Sequence, residues 1–152
     1  MSAQDELTAY LKAISDHFPN QQTLERVVFE HGRAFTPPVQ PRPKGIRKGR
    51  NKMCFMNSAH LMYSEGYRYT EGFAISATCP FPMQHAWVIT EDDTVIETTW
   101  KESGLAYYGI VLEQDLMDKV LFETRTYGVL DYTSKTFRER FLSRVRNMYL
   151  NQ

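Results

Sequence analysis

The chain has 152 residues, enough for one compact domain with a core and too few for two. Hydrophobic residues make up 42 % and aromatic residues 13 %, which excludes a disordered chain. Lysine plus arginine equals aspartate plus glutamate at 18 each, so net charge predicts no partner. No apolar run approaches the roughly 18–20 residues needed to span a bilayer. We expect one domain over residues 1–152 and no membrane association.

The N-terminal sequence MSAQDELTAYLKAI is acidic and amphipathic, unlike a secretory signal. Two cysteines in a chain of this size do not make a disulfide framework. These features predict a cytoplasmic, reducing environment in which a thiol is open for chemistry.

Two helices are predicted first. Residues 4–18 carry Leu7, Leu11 and Ile14 on one face at helical spacing, and a second helix is predicted around residues 24–29. The segment TPPVQPRPKGIRKGR, residues 36–50, contains four prolines and two glycines. It is therefore predicted to be an extended, basic crossing segment without regular structure.

The middle of the chain predicts a helix followed by strands. Residues 52–65 read as a helix with Asn51 as N-cap and Gly66 as its stop. Residues 67–76 alternate as a strand does, and TCPFPM is a loop. The stretch QHAWVITEDDTVIETTW predicts a hairpin with strands at about 85–90 and 94–100.

The C-terminal third predicts one strand at YYGIVLEQ, one or two more within VLFETRTYGVL, and a last helix over residues 134–149. Helices that precede and follow the antiparallel strands along the sequence favour an α+β architecture.

Cys54 lies in the first turn of its predicted helix, where free backbone N–H groups and the helix dipole favour a thiolate. His85 follows on one strand and Glu97 on the next. A cysteine, a histidine and a carboxylate form a nucleophile, a base and a group that orients the base. Alone, the cysteine or the histidine would be an ordinary structural residue, so the joint pattern carries the prediction.

The hairpin register decides whether this triad can form. Opposed residues of an antiparallel pair point to the same face. A turn with an odd number of residues places His85 and Glu97 on one face, and a two-residue turn places them on opposite faces. The acidic turn TEDDT allows both outcomes.

These segments resemble the transglutaminase-like, papain-like superfamily. HAWV, a turn and VIETTW are similar to its His-Ala-Trp strand and acid-bearing strand, and CFMNSAHLMYSEGYRYTEGFAI is similar to its cysteine helix and following strand. The resemblance covers roughly residues 51–110 and departs in one place, since the family usually has Asp where this chain has Glu97. It implies a papain-like core with Cys54 as nucleophile, His85 as base and Glu97 as orienting acid.

The expected function is a cysteine hydrolase or acyltransferase acting on an amide-type bond of a protein, peptide or small amide. A thioester intermediate would form on Cys54. Whether water or an amine resolves it, giving a protease, deamidase, amidase or transglutaminase, stays open. This chemistry requires no metal or organic cofactor.

Several residues near the triad are further candidates. The second oxyanion donor, beside the Cys54 N–H group, is predicted to be a side-chain amide, with Asn51 slightly favoured over Gln84. Asn57 either binds substrate or bonds a neighbouring loop, and Trp87, on the strand face of His85, is a further substrate-binding candidate.

Glu71 occupies the apolar phase of its predicted strand, where a carboxylate is costly unless it is paired. Either it lines the cleft, or Arg68 or another base neutralises it, or the aromatic face of that strand is the wet one.

Two further patterns give competing hypotheses. C-x₅-H occurs at 54–60 and 79–85, but residues six apart on a helix lie about 240° apart, so a zinc site is disfavoured. Basic residues cluster in two stretches, which form either an ordinary solvated face or the surface of a non-catalytic module that binds an acidic protein, with nucleic acid left open. The clusters are Arg42, Lys44, Arg47, Lys48, Arg50 and Lys52, and Lys135, Arg138, Arg140, Arg144 and Arg146.

Overall fold

The computed structural model describes residues 1–38 and 42–130. The helices in this part are α1 (Ala3–His17), α2 (Leu24–His31), α3 (Cys54–Glu65) and α4 (Gln114–Thr124). The strands are β1 (Arg33–Phe35), β2 (Arg68–Ile75), β3 (Met83–Ile89), β4 (Val95–Ile96) and β5 (Ala106–Leu112). The α+β architecture is confirmed. In the described ranges no helix is long and apolar enough to cross a membrane.

The five strands form one antiparallel sheet in the order β1-β5-β2-β3-β4. Helices α1 and α2 pack on one side of the sheet, and their core includes Leu7, Leu11 and Tyr69. A second, aromatic core gathers Phe35, Trp87 and Tyr107 with their apolar neighbours. This core joins β1 to β3, which are not neighbours in the sheet, so the sheet must curl around it.

Asp93, in the turn between β3 and β4, forms ion pairs with the edge strand β1 and with β2. Its Oδ1 accepts from Arg33 of β1 at 3.0 Å and from Arg68 of β2 at 2.6 Å. The curl brings residues that are distant in the sheet order into one cluster, and the candidate site depends on this.

Helix boundaries follow local capping chemistry. Ser2 forms a capping box with Asp5, and Thr23 accepts from the Arg26 N–H group. Gly66 ends α3 with a left-handed φ of 75°, as its position predicts.

The N-cap predicted at Asn51 is wrong. Helix α3 begins at Cys54, and Met53 occupies the cap position without a side-chain hydrogen bond. Asn51 is exposed, and its Oδ1 accepts from Lys48 Nζ at 2.6 Å. Lys52 intervenes with a φ of 64°, which turns the chain before the helix begins. Cys54 nevertheless lies in the first turn of the helix, as predicted.

Two strand predictions need correction. The one or two strands predicted within residues 120–130 do not form. Residues 120–124 are the end of α4, in which Met117 and Val120 are buried three residues apart on one helix face, and residues 125–130 are neither helix nor strand. The second hairpin arm is only Val95–Ile96, and residues 97–100 bend away from it. The described part of residues 36–50 has neither helix nor strand, as predicted, and the helix predicted over 134–149 lies outside the described residues.

Glu71 is buried, 1 % exposed, on the helix side of the sheet. Its Oε2 accepts from Tyr69 Oη at 2.8 Å and from the Val129 N–H group at 2.6 Å. Its Oε1 accepts from the Leu130 N–H group at 3.0 Å. The hypothesis of a wet aromatic face is wrong, and Arg68 instead bonds to Asp93. The carboxylate fastens the segment after α4 to the sheet.

We expect Glu71→Ala to lower the free energy of unfolding by about 3 kcal/mol, because it leaves three buried donors without their acceptor. Urea unfolding followed by circular dichroism would measure the change. Glu65→Ala, at an exposed glutamate, should change the free energy of unfolding by no more than about 0.5 kcal/mol. Equal effects of the two substitutions would contradict the fastening role of Glu71.

Candidate active site

Cys54 is the first residue of α3, and α3 packs against β3. Its backbone N–H group belongs to the first turn, where N–H groups have no partner within the helix. The free thiol is partly exposed, and its interaction with the His85 side chain helps to raise the pKa of that histidine. A thiol, an open backbone donor and an imidazole therefore meet at one helix end.

His85 and Glu97 point to the same face of the hairpin. The pairs Val88–Ile96 and Ile89–Val95 leave residues 90–94 as the turn, an odd number. His85 Nε2 lies 2.8 Å from Glu97 Oε1, and each side chain is only 2 % exposed. Since Nε2 faces Glu97, Nδ1 is the ring nitrogen left for the Cys54 sulfur.

Both carboxylate oxygens of Glu97 have hydrogen-bond partners. Oε1 accepts from Tyr107 Oη at 2.9 Å in addition to facing His85. Oε2 accepts from the backbone N–H groups of Thr99 at 2.8 Å and Trp100 at 2.9 Å. Residues 97–100, hereafter the Glu97 loop, fold around their own carboxylate. An acid at this position thus shapes the loop that follows as well as orienting the histidine.

The ionisation of the pair follows from these contacts. Burial lowers the pKa of His85, but hydrogen bonds to Cys54 and Glu97 and the charges of both residues outweigh burial and raise that pKa to about 9. Burial alone would raise the pKa of Glu97. The hydrogen bond and charge of His85, with the N–H groups of Trp100 and Thr99, instead hold it below its ordinary value. At neutral pH His85 is therefore an imidazolium beside a carboxylate.

Two residues that support the site, Trp100 and Tyr107, were not found by the sequence analysis. The Trp100 ring stacks on the His85 ring, with centroids 3.8 Å apart and planes at 7°. Tyr107 reaches Glu97 from β5, while its own Oη accepts from the Gly104 N–H group at 2.7 Å. Trp100 follows the acid by three residues, a weak signal, and Tyr107 has no local signal because β5 is not a neighbour of β3.

Arg42 has a different role from the one predicted. Its Nε donates to the Glu97 carbonyl at 2.7 Å and its Nη2 donates to the Trp100 carbonyl. The side chain is half-buried and braces the Glu97 loop, so it is not an open contact for an acidic partner.

Two other predicted site residues, Trp87 and Asn57, are buried. Trp87 is 0 % exposed, packed between Phe35 and Tyr107, so it cannot contact a substrate. Asn57 is buried, and its Nδ2 donates to the Arg50 carbonyl and to Thr99 Oγ1, each at 2.9 Å. It bonds neighbouring loops, which was one of its two predicted roles.

The two oxyanion candidates differ in their surroundings. Asn51 is exposed and bonded to Lys48, which does not favour it as the second donor. Gln84 is partly buried at the start of β3, one residue before His85. Gln84 therefore stays a predicted second donor.

The zinc hypothesis gains no geometric support. His60 Nε2 bonds to Tyr127 Oη at 3.0 Å on the exposed side of α3, and the Cys79 N–H group donates to Ser76 Oγ at 2.9 Å. In the part of the chain that the structure describes, no three His, Cys, Asp or Glu side chains are grouped to hold a metal ion.

A cavity of about 690 Å³ lies between β1, the proline-rich segment and the β3–β4 turn. Glu97 and Arg42 line it, but Cys54 and His85 are not among its lining residues. The sulfur is therefore not reached through this cavity, whereas residues 51–53, just before Cys54, are exposed.

Comparison of the chain with protein-family models, curated proteins and solved structures gives no match.

Proposed function

We propose that this protein is a cysteine-dependent hydrolase or acyltransferase that acts on an amide-type bond. The observation that supports this best is the setting of buried His85, whose Nε2 lies 2.8 Å from Glu97 Oε1 and whose pKa is raised by both Glu97 and Cys54. Burying a histidine and a glutamate is costly even when they are paired, and such buried titratable pairs are typical of functional sites.

In the proposed reaction the proton of the Cys54 thiol is held by His85 as the imidazolium, and the thiolate sulfur attacks the substrate carbonyl carbon to form an S–C bond. The carbonyl π electrons move onto oxygen, where the Cys54 N–H group and the Gln84 amide would stabilise the negative charge. When the C–N bond breaks, the His85 imidazolium transfers its proton to the leaving amine. Water or a second amine, deprotonated by His85, then displaces the sulfur and releases the acyl group.

The proposed fold assignment is a papain-like, transglutaminase-like core. It rests on a cysteine at a helix start, packed against a strand that carries the histidine. We also propose a cytoplasmic, reducing location, which suits the two free cysteines.

The test is acylation of the protein by p-nitrophenyl acetate, a small, neutral acyl donor. We expect a burst of p-nitrophenolate stoichiometric with protein, and an acetyl group on Cys54 in peptide mass spectra. Cys54→Ala should abolish the burst, while Cys79→Ala should leave it unchanged. Acetylation spread equally over both cysteines would overturn the proposal.

A further inference from the structure

Five exposed basic side chains lie just before the candidate nucleophile. We call Lys44, Arg47, Lys48, Arg50 and Lys52 the basic bank. The sequence from 36 to 53 contains no aspartate or glutamate. Of the ion pairs that the structure shows in the described ranges, none involves the basic bank. Its positive charge is therefore not neutralised by the described part of the protein.

The basic bank is attached to the site by several hydrogen bonds. The Gly49 N–H group donates to the Thr98 carbonyl at 2.8 Å, and Asn57 bridges the Arg50 carbonyl and Thr99 Oγ1 at 2.9 Å each. A Cβ atom at Gly49 would lie 2.2 Å from Asn57 Cγ, so a side chain at this position would displace the Asn57 amide. The bank is thus fixed against the Glu97 loop, unlike a mobile, solvated charge run.

The bank also lies close to the sulfur-bearing residue. Lys52 and Cys54 are two residues apart, so their Cα atoms are at most about 7 Å apart. That is within the Debye length of about 8 Å at physiological ionic strength, so the charges act on whatever approaches Cys54. Like charges held together repel one another, and a bound anion would relieve that repulsion.

We propose that the acyl group transferred to Cys54 belongs to an acidic peptide segment, whose carboxylates lie on the basic bank. This inference rests on the proposed function and adds the substrate class to it. An acidic peptide supplies both the amide bond and the negative charge. Residues 42–52 contain no aromatic side chain on which nucleobases could stack, which favours a peptide over a nucleic acid.

The experiment measures binding of a fluorescent peptide of alternating glutamate and glycine to the full chain carrying Cys54→Ala. Its probes for comparison are the same peptide with glutamine in place of glutamate, and a single-stranded RNA of equal length. We expect the acidic peptide to bind more tightly than both, and to weaken as salt is added. Binding of the glutamine peptide with equal affinity, or tighter binding of the RNA, would overturn the inference.

The bank itself is tested by Arg47→Gln, Lys48→Gln and Arg50→Gln combined. Affinity for the acidic peptide should fall about tenfold, since each exposed charge contributes a modest amount. Lys12→Gln combined with Lys119→Gln, which removes two exposed charges elsewhere, is the control and should leave the affinity unchanged. Unchanged affinity in the triple variant, or an equal loss in the control, would overturn the inference.

The p-nitrophenyl acetate burst separates this inference from the proposed function. The ester is uncharged, so the triple variant with Cys54 intact should retain the burst. If the burst occurs but the affinity for the acidic peptide does not depend on the basic bank, the proposed substrate class is wrong and the proposed cysteine chemistry is supported. If the acidic peptide binds through the basic bank but no burst occurs, both the proposed function and the acyl-transfer inference are wrong. The basic bank is then a non-catalytic binding surface.

Discussion

Glu97→Ala should lower the free energy of unfolding by about 3–5 kcal/mol, the usual cost of removing one partner from a buried ion pair. The carboxylate accepts from Tyr107, Thr99 and Trp100 as well as contacting His85. Its loss would leave a buried imidazolium and three donors without their acceptor. Urea unfolding at neutral pH, compared with the parent protein, measures the change.

Glu97→Gln refines this prediction. The amide keeps the shape and one acceptor oxygen but loses the charge, so the pKa of His85 should fall from about 9 toward its ordinary 6.5. Glu91→Ala, at an exposed glutamate in the β3–β4 turn, is the control and should change the free energy of unfolding by about 0.5 kcal/mol or less. If Glu97→Ala were no more destabilising than Glu91→Ala, the central place of Glu97 in the site would be wrong.

His85→Asn should slow acetylation of Cys54 by p-nitrophenyl acetate by about 10²–10⁴-fold, the usual range for losing a general acid–base group. Asparagine preserves a hydrogen-bonding side chain at this buried position but cannot exchange a proton near neutral pH. The first-order rate of the p-nitrophenolate burst is the measurement. An unchanged burst rate would exclude His85 as the partner of the nucleophile.

The same residue predicts how stability depends on pH. Because the pKa of His85 is about 9 in the folded protein and 6.5 ordinarily, the folded state holds the proton more tightly. The resulting stabilisation is fully present below pH 6.5 and is lost as the pH rises through 9. His85→Asn should therefore have a flatter stability profile than the parent over this window. An NMR titration of the ring with an ordinary midpoint would contradict it.

The sequence by itself determined the parts of this protein that depend on neighbouring residues. Helix α1 and the Gly66 stop follow from apolar spacing and from the left-handed conformation that glycine tolerates. The alternation of β2 placed Glu71 on a buried face. The position of Cys54 near a helix start follows from the same local patterns, although the cap itself was misassigned.

Predictions from local sequence patterns were wrong where the same residues were compatible with two local structures. The stretch from Val120 to Thr124 is compatible with a strand and with a helix, and the packing of Val120 and Leu121 on the core selected the helix. Asn51 has good cap chemistry, but the left-handed turn at Lys52 moved the helix start beyond it.

Only the tertiary structure decided how the candidate site is assembled. The turn of residues 90–94 set the hairpin register, which placed His85 and Glu97 on one face. The curl of the sheet brought Tyr107 of β5 to Glu97, although β2 separates β5 from β3. Arg42 reached the same loop from more than fifty residues away in the chain. Such contacts join residues that share no local pattern, because closure of the sheet and burial of its aromatic core select them.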